Sequence, residues 1–160
     1  MSFYQQLGLL VFGSRLKRLG ESFISDVNKI YKSQNIQFDA SWFPVFYILS
    51  QKEEVSIKEI ADDLNVSHSA ISQLITNLQQ KGLIKSVVSK IDARHKAITF
   101  TTKGEKLLTK IQPVWNALQQ SMEQLVNENI QSKKILEALS AMEKSLQKES
   151  VFERVENLLK

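Results

Sequence analysis

A chain of 160 residues, 42% of them hydrophobic, is long enough to bury one substantial core. It has no cysteine, which excludes disulfides, thiolate metal sites and any cysteine oxidation switch, and its two histidines belong to no cluster with metal-ligand spacing. The net charge is only +4, yet from Lys81 to Lys103 six basic residues stand against a single acid, Asp92, so positive charge is concentrated in one stretch.

From Phe3 to about residue 33 the chain reads as one long helix, with Phe3, Leu7, Leu10, Val11, Leu19, Phe23, Val27, Ile30 and Tyr31 near helical spacing. Leu7 to Phe12 is too short for a signal core or a membrane span, and charged residues follow at once. The expectation is a cytoplasmic protein without a membrane partner. Gln34 to Gln37 interrupts the pattern. Ser41 is expected to cap a second helix from Trp42, with Pro44 at its third position, where no intrahelical partner for an N–H is lost. Trp42, Phe43, Phe46, Tyr47, Ile48 and Leu49 make that helix apolar almost all round, which predicts burial.

Ser56-Ile57-Lys58-Glu59 has the S-x-x-E form of a capping box, so a helix is expected from Ile57, its stripe made by Ile57, Ile60, Ala61 and Leu64. Asn65 suits a left-handed stop, and Ser67 can cap the next helix, with Val66 stapled against Ile71. That next helix buries Ala70, Ile71, Leu74, Ile75 and Leu78 and turns Ser69, Ser72, Gln73, Thr76 and Gln80 the other way. No charged residue occurs from Leu64 to Gln80 in a chain that is 24% charged. A solvated helix face would normally carry Glu and Lys. Short side chains that both donate and accept hydrogen bonds are instead suited to reading base edges in a DNA major groove.

Gly82 sits where a left-handed C-cap is needed. Beyond it the period changes: Leu83 to Ser89 is strand-like, Ala97 to Thr101 alternates as a second strand, and the basic loop Lys90 to Lys96 joins them. Two helices followed by a hairpin with a basic tip predict a winged helix-turn-helix, with one helix in the major groove and the wing over the neighbouring backbone or minor groove. The fold class expected is mainly α with a small β-hairpin wing. The DNA-contacting residues expected are Ser67, His68, Ser69, Ser72, Gln73 and Thr76 on the helix and Lys90, Arg94, His95 and Lys96 on the wing, with Asp92 orienting Arg94.

These residues carry a resemblance. I-x-x-I-A-x-x-L at Ile57 to Leu64, L-x-x-K-G-L-I at Leu78 to Ile84, D-x-R at Asp92 and Arg94, and T-x-x-G at Thr101 to Gly104 resemble the winged-helix core of the MarR family of bacterial transcriptional regulators. Phe100 stands where that family commonly has Leu. The resemblance implies a homodimer on a pseudo-palindromic operator, often released by a small ligand. In such regulators aromatic acids often bind where the dimer helices meet the winged domain. Residues to line a pocket of that kind are Arg15, Trp42, Phe46, Tyr47 and Trp115, the other reading being ordinary core aromatics with a surface arginine.

Thr102-Lys103-Gly104-Glu105 has the form of another capping box, opening a long helix with Leu107, Leu108, Ile111, Val114, Trp115, Leu118, Met122, Leu125 and Val126, which Pro113 is expected to kink. Ser132 is the expected cap of a last segment bearing Ile135, Leu139, Met142 and Leu146. Past an irregular patch at Glu149 and Ser150, the face continues through Val151, Phe152, Val155, Leu158 and Leu159. The chain is thus read as a single domain over 1–160, with the winged core about 41–104 and dimerisation helices about 3–33 and 105–160. Terminal helices so rich in large apolar residues either fold back on their own core or pair with a second copy, and pairing also suits palindromic DNA. No phosphate loop, nucleophile motif or histidine–carboxylate cluster supports an enzyme or a cofactor. The alternative function is a winged-helix module that binds protein without sequence-specific DNA recognition.

Overall fold

Gly8 divides the N-terminal helix that the periodicity predicts as continuous. In the computed structural model, which describes residues 3–89 and 96–160, α1 (Phe3–Gln6) is followed by a 3-10 turn at Gly8–Val11 and then by α2 (Phe12–Ser33). Gly8 has φ 54°, a left-handed conformation that glycine adopts without steric cost. The Arg18 guanidinium lies 4.6 Å from the centre of the Tyr4 ring. On an unbroken helix residues fourteen apart would be separated by about 21 Å, so α1 must fold back along α2. Apolar spacing runs through Leu7, Leu10 and Val11 whether the helix bends or not, and is blind to the break.

Phe38 ties the next elements together. Its ring meets those of Tyr31 at 4.9 Å, Trp42 at 5.5 Å and Phe46 at 4.9 Å, each edge to face, and Phe46 in turn packs on Phe100 at 4.9 Å. Asp39, not Ser41, caps the turn that enters the second helix: its carboxylate accepts from the Ser41 backbone N–H at 2.8 Å and from the Ser41 hydroxyl at 2.6 Å. A 3-10 turn at Ala40–Trp42 then leads into α3 (Phe43–Gln51), with Pro44 in its first turn. Burial of α3 is one-sided. Val45, Phe46 and Leu49 are buried, whereas Phe43 and Tyr47 are exposed and pack on each other at 5.5 Å.

The helix-turn-helix follows the predicted signals closely. Ser56 and Glu59 form the reciprocal box that starts α4 (Ile57–Leu64), and Asn65 ends it at φ 51°. The Ser67 hydroxyl accepts from the Ala70 N–H to start α5 (His68–Gln80), and Gly82 follows its end at φ 68°. Strands β1 (Ile84–Val88) and β2 (Lys96–Phe100) pair antiparallel, with Ile84 opposite Phe100 and Val88 opposite Lys96. Val55, just before α4, exchanges both backbone hydrogen bonds with Ile98, which anchors the hairpin to the helix-turn-helix. Val55, Ile60, Ile75, Leu78, Ile84 and Ile98 form the core between them. The expected wing residues Lys90, Asp92, Arg94 and His95 lie outside the described residues.

The cap of α6 (Thr102–Asn127) is Thr101, one residue earlier than the sequence pattern suggests. Its hydroxyl accepts from the Gly104 N–H at 3.1 Å and donates to the Gly82 and Leu83 carbonyls, while its own N–H donates to Leu83. These tertiary bonds select the register. Pro113 lies within α6.

The fold divides into two units, residues 1–114 and 115–160. In the second, Ser132 opens a 3-10 turn at Ser132–Lys134 rather than capping the following helix, α7 (Ile135–Lys148), whose N-cap position is Lys134. The patch at Glu149 and Ser150 is a built corner. Ser150 and Glu153 form a second capping box for α8 (Val151–Leu159), and Arg154 bonds the Ser145 and Glu149 carbonyls and pairs with the Glu149 carboxylate at 3.4 Å. Leu136, Val151, Phe152, Leu158 and Leu159 are all more than 60% exposed, so α7 and α8 do not bury their apolar face within this unit.

Gly104 is buried directly against the Leu83 carbonyl, and a Cβ there would overlap that backbone oxygen and crowd the Phe100 ring. Gly104→Ala should destabilise the winged unit by about 1–3 kcal/mol, read as a lower urea midpoint at unchanged slope.

Candidate nucleic-acid interface

Burial fixes how α5 is turned. Ile71, Ile75 and Leu78 are buried at 4%, 2% and 0% exposure, which forces the intervening positions outward. Ser69, Ser72, Gln73, Thr76, Asn77 and Gln80 together line a shallow concavity of about 380 Å³ on the outer face. The predicted residues Ser69, Ser72, Gln73 and Thr76 are thus brought onto one surface, with Ser67 and His68 at its N-terminal end. Asn77 belongs to it too and was missed from the sequence, although it lies one turn beyond Gln73.

Hydrogen bonds differentiate these side chains. The Thr76 hydroxyl donates to the Ser72 carbonyl at 2.8 Å, which leaves its oxygen able to accept. The Ser72 hydroxyl lies 3.3 Å from His68 Nδ1. Among the described residues the Gln73, Asn77 and Gln80 amides make no hydrogen bond, so their donors and acceptors face outward uncommitted. Gln79 plays a different part: its amide donates to the Ser86 hydroxyl at 2.9 Å and ties α5 to the first wing strand. Lys85 and Lys96 are exposed on the hairpin.

Glu59 is held by the capping box that starts α4. The Ser56 backbone N–H and hydroxyl both bond its carboxylate, and these hold it below the ordinary carboxylate value of 4.5. At the corner before α8, Glu153 is lowered in the same way by Ser150.

Of the residues expected to line a ligand pocket, Arg15 is exposed on α2, Phe46 is fully buried between Phe38 and Phe100, Tyr47 is exposed on α3, and Trp115 belongs to the second unit. Trp42 alone of the five lines a cleft of about 780 Å³ in the first unit. Asn35, Ile36 and Gln37 form one wall, Lys81 and Leu83 another, and Thr102, Lys103, Lys106, Leu107 and Lys110 a third. Sequence reasoning missed the lysines of this cleft. Their signal on α6 is the spacing of three and four residues that puts Lys103, Lys106 and Lys110 on one face. Among the described residues no group of three His, Asp or Glu could hold a metal ion, and no helix is long and apolar enough to cross a membrane.

The family model described as MarR family matches residues 36–95. The HTH-type transcriptional regulator MgrA of Staphylococcus aureus is 30% identical over 80 residues, which make up 50% of this chain and 53% of that protein. The chain therefore spans about half the length of the curated relatives it matches. The fold is similar to that of the S. aureus MepR–DNA complex, with TM-score 0.69 and 22% identity over 84% of this chain and 97% of that one. It is also similar to the MarR/EmrR family transcriptional regulator of Acinetobacter sp. ADP1, with TM-score 0.67 and 17% identity over 88% and 99% of the two chains.

The Glu59 box has a pH signature. A carboxylate whose folded pKa is depressed contributes stability that is fully present above its unfolded pKa and is lost as pH falls through the folded one. Glu59→Gln removes that component. The fall in stability between about pH 6 and about pH 3 should be shallower in the variant than in the parent, measured by urea unfolding at each pH.

Proposed function

We propose that this chain, whose residues 36–95 match the MarR family model, is a DNA-binding transcriptional regulator that works in the cytoplasm as a homodimer on a pseudo-palindromic operator. The observation that carries the reading is the outward face of α5: six neighbouring polar side chains without a charge, set on a helix fixed from behind by Ile71, Ile75 and Leu78. Gln73 is the central reader, because a Gln amide pairs bidentately with adenine N6 and N7. Ser67, His68, Ser69, Ser72 and Thr76 contact neighbouring bases and phosphates, and Lys90, Arg94, His95 and Lys96 hold the backbone from the wing, with Asp92 orienting Arg94.

Dimerisation is supported by apolar surface in both units. Leu9, Leu10 and Leu19 in the N-terminal segment and Phe152, Leu158 and Leu159 on α8 are each at least half exposed, and a second copy would cover them. The dimer is a repressor released by a small aromatic ligand, a reading supported by the residue pattern of Ser56 to Gly104 and by the wide cleft beside Trp42.

Two measurements test this. Gln73→Ala should lose about 1–3 kcal/mol on the operator and little on random duplex, whereas Arg94→Ala should weaken both and lower the salt slope by about one. If Gln73→Ala leaves the ratio of operator to random affinity unchanged while Arg94→Ala collapses it, the wing does the reading. A protein that shows no salt-dependent duplex binding at all is an interaction module instead. For assembly, sedimentation should give a dimer at micromolar concentration, shifted towards monomer by Phe152→Glu with Leu158→Glu. A monomeric parent chain would rule out the symmetric-operator model.

A further inference from the structure

We propose that α8 of a second copy of this chain docks along the lysine rim of the cleft beside Trp42, with its Phe152 ring entering over the Trp42 indole. The proposal rests on the homodimer put forward above and adds where the arm goes and which residues it meets.

α8 is a helix prepared for a partner. Nine residues are too few to stay helical in isolation, and Val151, Phe152, Leu158 and Leu159 are exposed in their own unit. Polar bonds at one corner hold it instead. Ser150 and Glu153 cap its start, Arg154 donates to the Ser145 and Glu149 carbonyls, and the Asn157 amide donates to the Glu149 carboxylate at 3.1 Å. Such a corner fixes the direction of an apolar face that its own unit does not use, which lowers the ordering cost of docking it elsewhere. An acidic edge adjoins that face: Glu149, Phe152, Glu153 and Glu156 line one shallow concavity.

The cleft complements this edge in both chemistry and spacing. Its floor includes buried Leu83 and half-buried Trp42 and Leu107, and the Lys81 ammonium sits 5.2 Å from the centre of the Trp42 indole. No acidic residue lines the cleft, and among the described residues no carboxylate pairs with Lys81, Lys103, Lys106 or Lys110. The acids Glu149, Glu153 and Glu156 follow one another at intervals of four and three residues. Taken backwards along α6, Lys110, Lys106 and Lys103 follow at the same intervals, so antiparallel helices set each acid opposite one lysine. Glu149 and Glu153 already accept bonds at the corner, but an ionised carboxylate accepts more than these. Glu156 has no partner among the described residues and falls opposite Lys103. One ring fills only part of a space of about 780 Å³, so the contact lies along the rim. In a two-fold pair each copy gives one arm and receives one, and neither is left over.

The experiment measures dimer affinity of the full chain at low salt by sedimentation equilibrium. Lys103→Glu and Glu156→Lys are run singly and as an equimolar mixture of the two variants. Either variant alone faces like charges at both contacts of its dimer and should associate about tenfold or more weakly than the parent. In the mixture every arm meets a cleft of opposite charge, so association should recover to within about threefold of the parent. Lys103 also donates to the Lys81 carbonyl at 2.7 Å, so Lys106→Glu repeats the weakening at a lysine opposite Glu153 without touching that bond. Lys58→Glu, an exposed lysine of α4 outside the cleft, should leave association unchanged. Thermal melts matching the parent exclude loss of fold. With Trp115→Phe, so that fluorescence reports Trp42 alone, Phe152→Ala should make Trp42 easier to quench with acrylamide. A monomeric parent overturns the dimer and the arm together. A dimeric parent overturns the arm alone if Lys103→Glu, Lys106→Glu or Glu156→Lys associates as the parent does, or if Phe152→Ala leaves Trp42 quenching unaltered. A mixture no tighter than its components also overturns it, because the arm then does not cross to the partner's cleft.

Discussion

The winged unit depends on one close approach. Gly104 lies against the Leu83 carbonyl with no room for a side chain, and Thr101 bonds both carbonyls that follow α5 while starting α6. Because Gly82 and Leu83 terminate α5 and Leu83 precedes the first strand, this contact fixes three directions at once: that of α5, of the hairpin and of α6. The Val55–Ile98 bridge and the Gln79–Ser86 bond add two further ties between the hairpin and the helix-turn-helix. An outward polar face is useful for recognition only if its aim is fixed, and here the aim is set by backbone contacts rather than by the face itself.

What could be read in the sequence was mostly local. The Ser56–Glu59 box, the left-handed Asn65, the Ser67 cap and the Gly82 C-cap depend on residues within a turn of one another, and each lies where its spacing places it. The outward set on α5 was legible for the same reason, since a helix of known register and one buried face leaves little choice for the other. Errors arose where two local solutions were available. Ser41 and Asp39 can both cap, and the carboxylate wins because it reaches both the Ser41 N–H and its hydroxyl. Thr101 and Thr102 can both start α6, and the bonds to Gly82 and Leu83 choose Thr101.

Two features were not legible at all. The break at Gly8 leaves the apolar spacing intact, so only the positive φ reveals it. The lysine-rimmed cleft is assembled from segments as far apart in sequence as Asn35 and Lys110, and no periodicity records that Lys81 and Trp42 will meet. Conversely, Glu149 and Ser150, read as irregular, already carried the S-x-x-E signature that Ser150 and Glu153 use.

The absence of charge on the outer face of α5 separates two kinetic roles. Encounter with a polyanion is accelerated by long-range attraction, and in this unit that attraction resides in lysines and arginine outside α5. On the proposed reading, the α5 face adds hydrogen bonds that act only at contact, so it would change how long a matched complex lasts rather than how often one forms. If the proposed DNA-binding function holds, a chain built this way would scan duplex quickly and still dwell selectively, with the two properties open to change by substitutions at different residues.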